Sequence, residues 1–177
     1  LFFYDIPNLL AILIIVFTSF RMGLTPLWLS FFLGLFAFVP FILNDVLFPA
    51  SFMPDQFSYF TKVQQLRSFD FELVTNTKVK VSSWILAAIP MPYAETIKSL
   101  GFFSRFMATV LIIWLYAYKK LRGWPLLFIL FYPSFLLYSS LALRDTLVFM
   151  FMIISVILFL ENRRMLALLI VLPLFII

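Results

Sequence analysis

The stretch FFSRFMATVLIIWLYAY, Phe102–Tyr118, is apolar almost throughout and carries one charge, the guanidinium of Arg105 near its start. A helix needs about 20 mostly apolar residues to cross the hydrocarbon core of a bilayer, and this run approaches that length. Comparable runs flank it at Ile6–Phe20, Leu24–Leu43, Trp124–Leu143 and Thr146–Leu160, and a further one begins at Met165. The expected fold is therefore all-α, a polytopic transmembrane helical bundle. Pro26, Pro40, Pro125 and Pro133 lie near or inside the runs. Such breaks are tolerated where neighbouring helices or local water satisfy the freed carbonyls.

Composition supports the same class. Hydrophobic residues make up 64% of the chain and charged residues 12%, against roughly a quarter charged in ordinary globular proteins. So little polar surface cannot clothe a water-facing globule. The net charge of +5 is not a nucleic-acid signature, because the basic residues sit in short clusters between apolar runs. Cysteine and histidine are both absent, which removes disulfides, thiol nucleophiles and the commonest general base and metal ligand. The chain begins at Leu1 and stops within the apolar run Met165–Ile177, so a piece of a longer protein is expected. No basic leader with a small-residue cleavage site precedes the first run.

Orientation follows from the short connections. Arg21 lies in one hairpin, Lys119, Lys120 and Arg122 in another, and Arg163 and Arg164 in a third. With the runs above, all fall on one side, which the positive-inside rule makes cytoplasmic. Residues 1–43 then hold two transmembrane helices, residues 44–101 an extracytoplasmic segment, and residues 102–177 transmembrane helices three to six. The opposite side receives Asp5, the long segment and the turn at Arg144–Asp145.

That long segment is not a structureless loop. Phe57, Phe60, Val63 and Leu66 recur at helical spacing, with Lys62, Gln65 and Arg67 between them. Pro92 is placed to open a second helix, with Ile97 and Leu100 apolar and Glu95 and Lys98 polar. Both read as amphipathic interfacial helices, with Lys62 and Arg67 facing lipid headgroups. Thr77–Ser82 alternates polar residues with Val, the pattern of a short extended piece. Of the 8 acidic residues, Asp45, Asp55, Asp70, Glu72 and Glu95 gather in this segment, so a reactive face belongs here.

The turn Leu143-Arg144-Asp145-Thr146 puts charge beside hydrocarbon, which costs a few kcal/mol unless the charge is paired or lines a wet cavity. Two readings stand open. Arg144 either faces a cavity, where its planar fork can hold a phosphate or diphosphate, or snorkels to the interface while Asp145 caps the next helix. Arg105 likewise either snorkels outward or serves as a second anion ligand. Asp55, after Pro54, is either an N-cap or a general base toward a sugar hydroxyl. Asp70 and Glu72, two residues apart, share one side of an extended stretch and could hold a divalent cation. No other cofactor is indicated. There is no Gly-rich phosphate loop, nucleophile elbow or zinc spacing.

The stretch Phe131–Leu147 (FYPSFLLYSSLALRDTL) contains Pro-Ser, then Tyr-Ser, and ends in Leu-Arg-Asp. It resembles bacterial O-antigen and capsule polymerases of the Wzy type and, more widely, GT-C-like membrane glycosyltransferases that use polyprenyl-linked sugars. Met53–Phe60 (MPDQFSYF) looks like the acidic-then-Tyr beginning of the large outer loop in those enzymes. The resemblance covers roughly residues 45–165. It implies the N-terminal part of an enzyme that joins polyprenyl-diphosphate-linked oligosaccharides at the extracytoplasmic face of the bacterial inner membrane. A chain-length regulator is an implied partner. Carried over residue by residue, Arg144 would bind the diphosphate, with Arg105 a second phosphate ligand. Asp55 would be the base, Asp145 would support Arg144, and Tyr59 would lie at the substrate. The later outer loop, where such polymerases carry further arginines, is not in this sequence. Two other classes compete: a transporter or flippase for lipid-linked sugars, expected to carry charge at mid-depth, and a structural subunit docking through the outer segment.

Overall fold

Residues 3–44, 46–49, 52–69, 77–141 and 143–175 are described by a computed structural model of the chain. It is all-helical, 75% helix, with no strand among the described residues. The first apolar run forms α1 (Ile6–Arg21) with Pro7 in its first turn, where a missing N–H costs nothing. Pro40 ends the next run early. Its ring crowds the carbonyl of Phe36 and offers no N–H to it, so Leu24–Leu43 divides into α2 (Leu27–Phe36) and α3 (Val39–Leu43).

The long segment departs from expectation in several ways. α4 (Asp55–Arg67) is present, but it buries Gln56, Tyr59, Val63 and Leu66, while Phe57 is 44% exposed. The buried stripe is thus rotated from the expected apolar one, because Tyr59 has a hydroxyl partner on the next helix. That helix, α5 (Thr77–Ala88), replaces the expected extended piece. Its Ser82, Ser83 and Leu86 are buried at helical spacing, so packing against α4 overrides the short polar–Val alternation. Pro92 opens nothing. Helix α6 (Ile97–Ala117) starts instead at Thr96, whose side chain accepts from the Ser99 N–H at 3.0 Å in a capping box. The second amphipathic helix and the Phe102 run are therefore one element.

Beyond α6, Pro133 holds Tyr132 extended (ψ 115°). The run Trp124–Leu143 becomes α7 (Trp124–Phe131) and α8 (Pro133–Tyr138). α9 (Asp145–Leu160) and α10 (Arg164–Val171) follow the last two runs, with a 3-10 turn at Leu172–Phe175 closing the description. Among the described residues α6 alone is long and apolar enough to cross a membrane, and shorter apolar helices span Ile6–Arg21, Leu27–Leu43, Asp145–Leu160 and Arg164–Leu174.

α6 is the axis of the array, burying Leu100, Phe102, Phe103, Ala108, Ile112 and Leu115 at 0–2% exposure. α1 and α9 run beside it in the same direction. Their last turns close alike: the amides of Leu24, Lys120 and Arg163 reach back to the carbonyls of Ser19, Leu115 and Leu158 at 2.9 Å. Gly23, Lys119 and Asn162 sit in the left-handed region at these ends, the geometry of a Schellman cap. The Lys120–Glu161 ion pair joins the ends of α6 and α9, and Trp28 meets Tyr116 edge-on with centroids 6.4 Å apart. All three basic hairpins thus occupy one end, hereafter the Lys120 end.

The opposite end is latched by polar side chains. Asn8 donates to the Tyr93 carbonyl at 2.8 Å and accepts from the Tyr93 N–H at 3.1 Å. Asp5, 1% exposed, accepts from Ser99 at 2.6 Å and Thr96 at 3.0 Å. Its negative charge lies at the start of α6, where the helix dipole favours it. Asn8→Leu strips both partners from a part-buried peptide group, and it is expected to cost about 2–3 kcal/mol. Thermal unfolding of the purified protein measures this; an unchanged midpoint would mean that the latch contributes nothing.

Around the apolar core, small polar side chains are buried while many large apolar ones are exposed. Ser19, Thr25, Ser30, Ser99, Ser104, Thr109, Ser139, Ser140 and Thr146 are all buried. Meanwhile Ile14, Phe17, Leu27, Phe31, Val156, Phe159 and Leu168 are each at least 57% exposed. A chain of hydroxyls, Ser19 to Thr25 to Ser30 at 2.9 Å per step, closes the α1–α2 hairpin from inside.

Candidate functional site

The turn before α9 is held from three sides. The Ser140 carbonyl accepts from the Asn44 amide at 3.2 Å, and the same nitrogen reaches the Pro40 carbonyl at 3.2 Å. Gly101 on α6 lies so close to this carbonyl that a Cβ there would stand 2.4 Å from it. On the far side, Thr146 donates to the Tyr138 carbonyl at 3.1 Å. Leu141 and Leu143 are buried, 1% and 6% exposed, whereas Arg144 and Asp145 are exposed. Arg144 takes the N-cap position and Asp145 is the first helical residue, with no side-chain capping bond. The reading of Asp145 as an N-cap is therefore not realised.

Tyr59 comes to this turn from α4. Its ring is 5% exposed and its hydroxyl shares a hydrogen bond with Ser82 of α5. Burial pushes the phenol above its ordinary range; Arg144 and Ser82 pull it back, and Asp55 and Asp145 add a smaller upward push. Tyr59 is thus a neutral phenol at physiological pH. The same interactions place Arg144, Asp55 and Asp145 within electrostatic reach of one hydroxyl. Four residues singled out in sequence on two separated segments thus lie toward one end of the array, three of them within electrostatic reach of Tyr59. Asp55 lies in the first turn of α4 with Pro54 at the cap position, so it too is not an N-cap, and its side chain is exposed.

Arg105 does not snorkel. It is 2% exposed, two turns into α6, with Phe36 beneath its guanidinium at 5.9 Å. Its Nε and Nη2 find no hydrogen-bond partner among the described residues. Arg67 does not face outward either. It donates to the carbonyls of Ile89 (2.9 Å) and Met91 (3.2 Å) and lies 4.7 Å over the Phe103 ring, tying the end of α4 to the α5–α6 connection. Burial lowers its pKa. Lys98, expected on a polar face, is 7% exposed and lies 5.8 Å over Phe41. Asp70 and Glu72, the carboxylate pair considered for a cation, and Asp45 lie outside the described residues. Among the described residues no three acidic groups gather to hold a metal.

Two clefts adjoin the cluster's end. One of about 180 Å³ lies between α8 and α9, lined by Ser134, Tyr138, Asp145 and Thr146 with Tyr132, Phe135 and Phe149. The other, about 650 Å³, follows α4 past Thr61, Gln64, Gln65 and Ser68 to Tyr93 and Glu95. Amides, hydroxyls and an aromatic ring are the groups that recognise a polyol. Sequence reasoning missed the supports of this site, namely Asn44, Ser82 and Gly101. The Thr96–Ser99 spacing was a readable helix-start signal; the long-range partners had none. The chain matches no known protein family, no curated protein and no solved structure.

Proposed function

We propose that this chain is a multi-span membrane protein that joins polyprenyl-diphosphate-linked oligosaccharides at the extracytoplasmic face of a bacterial inner membrane. Support for membrane insertion is the broad apolar exterior, with Ile14, Phe17, Phe31 and Val156 outward and several hydroxyls buried. The shorter apolar helices would require a bilayer that thins locally around them. With the Lys120 end cytoplasmic, Tyr59, Asp55, Arg144 and Asp145 face outward.

The observation that supports the chemistry is that Arg144, Asp55 and Asp145 all lie within electrostatic reach of the Tyr59 hydroxyl. Transfer forms a bond between an acceptor hydroxyl oxygen and the anomeric carbon, and breaks the bond from that carbon to the diphosphate oxygen. The hydroxyl proton passes to the Asp55 carboxylate. The negative charge arriving on the diphosphate is met by the Arg144 fork, which suits phosphate oxygens in pairs. Asp145 orients that fork, and Tyr59 donates to a substrate oxygen. Arg105 would answer a second phosphate charge, and the amide-rich groove along α4 would seat the sugar chain.

Cells that depend on the protein for long-chain glycan provide the test. Arg144→Ala and Asp55→Ala, at matched membrane levels, are each expected to reduce chain extension by 10²-fold or more, roughly the loss from one charge-stabilising group. Single repeat units should accumulate. Unchanged glycan ladders in both variants would reject the assigned site, and unchanged ladders on deleting the gene would reject the activity.

A further inference from the structure

The Lys120 end carries a feature that plays no part in glycan transfer. α6, α7 and α9 leave a cleft of about 330 Å³ walled by Leu115, Ile129, Phe149, Met152 and Val156. It follows α9 from Phe149 to Ile157, about 12 Å of helix at 1.5 Å per residue. Met152 and Val156 are 54% and 57% exposed, so the cleft opens sideways rather than toward either end of the array. Its polar boundary is Lys120, paired with Glu161. Lys119, Arg122, Arg163 and Arg164 stand in the same pair of connections, so these connections hold five cations against the one carboxylate of Glu161.

We propose that this cleft binds one anionic phospholipid, its acyl chain along α9 and its phosphate on Lys120 and the neighbouring cations. Charge complementarity selects the occupant. A neutral lipid fills the apolar wall but leaves the excess positive charge unmatched. A free phosphate matches the charge but leaves the apolar cleft empty. An amphiphile with an anionic head satisfies both, and Glu161 holds the Lys120 ammonium at the cleft mouth where such a head would arrive. The proposal rests on the multi-span reading, because only a bilayer presents acyl chains to a lateral opening.

Native mass spectrometry of the whole purified chain, released from detergent with equal mole fractions of phosphatidylglycerol and phosphatidylcholine, tests it. One phosphatidylglycerol should be retained at about ten-fold higher occupancy than phosphatidylcholine, the scale set by one or two basic residues at a membrane surface. Lys120→Gln should bring the two lipids toward parity. Val156→Trp, at a position 57% exposed, should fill the cleft and lower retention of both. Equal retention by the wild type, or retention untouched by both variants, overturns the site. Displacement of phosphatidylglycerol by millimolar inorganic phosphate overturns it in favour of a free-anion site. Alkaline carbonate washing of membranes reads insertion separately: a washed-out chain rejects the multi-span reading and this site with it, whereas an inserted chain lacking lipid preference rejects the site alone.

Discussion

Gly101→Ala should destabilise the protein by about 3 kcal/mol, the upper range for forcing an extra carbon into a packed interior. The added Cβ would stand 2.4 Å from the Ser140 carbonyl oxygen and 3.3 Å from the Asn44 amide nitrogen. Neither neighbour is a flexible side-chain tip that can swing aside. The carbonyl is backbone, and Asn44 is committed to it and to Pro40. Relief must come from moving the turn off α6, which moves Arg144 and Asp145 away from Tyr59. Melting temperature and glycan extension should therefore fall together. Gly34 supplies the control, because a Cβ there meets only Leu13 Cδ2, at 3.9 Å. Gly34→Ala gains up to about 1 kcal/mol of helix propensity and should melt at or above the wild-type temperature. Equal melting of Gly101→Ala and wild type would show that α6 and the turn do not approach this closely.

Arg105→Met should do the reverse to stability. A buried guanidinium with Nε and Nη2 unpartnered among the described residues carries a large desolvation penalty that Phe36 at 5.9 Å offsets only in part. An unbranched apolar side chain in its place is expected to stabilise the fold by 1–4 kcal/mol, the range seen when buried charge is replaced by packing. Glycan extension should nonetheless fall, because the cation kept at that cost is the one assigned to a second phosphate charge. Higher melting with full activity would show that Arg105 has no part in transfer. Lower melting would mean that a buried group already pairs with the guanidinium.

The sequence and the structure agree where the physics is local. Apolar runs located α1, α9 and the start of α10 to within a residue or so. The prolines were recognised as break points, but where each helix would stop was not foreseen: Pro40 ends α2 at Phe36 and Pro133 ends α7 at Phe131. Disagreement begins where a partner distant in sequence decides the outcome. The alternation Thr77–Ser82 is equally compatible with strand and helix over so few residues, and packing on α4 chose helix. The buried face of α4 contains Gln56 and Tyr59 rather than Phe57, a choice set by Ser82, 23 positions beyond Tyr59. Arg105 was read as either snorkelling outward or binding an anion and Lys98 as lying on a polar face, yet both are buried against Phe rings. At the candidate site, Arg144, Asp145, Asp55 and Tyr59 were legible as residue types, but their convergence was not. It depends on Asn44 and Gly101 gripping a carbonyl that carries no sequence signature.

The Asp5–Asn8 latch also has a history in time. Its partners Tyr93, Thr96 and Ser99 lie 85, 91 and 94 positions downstream of the residues they meet. At synthesis rates of about 5–20 residues per second, the first helix waits roughly 5–20 s for them. Throughout that interval the Asp5 carboxylate lacks its hydroxyl partners, so the beginning of α1 is not locked until the start of α6 emerges. Biogenesis is thereby ordered: the start of α1 is made long before it is locked, and the two ends of the array are fastened by different events.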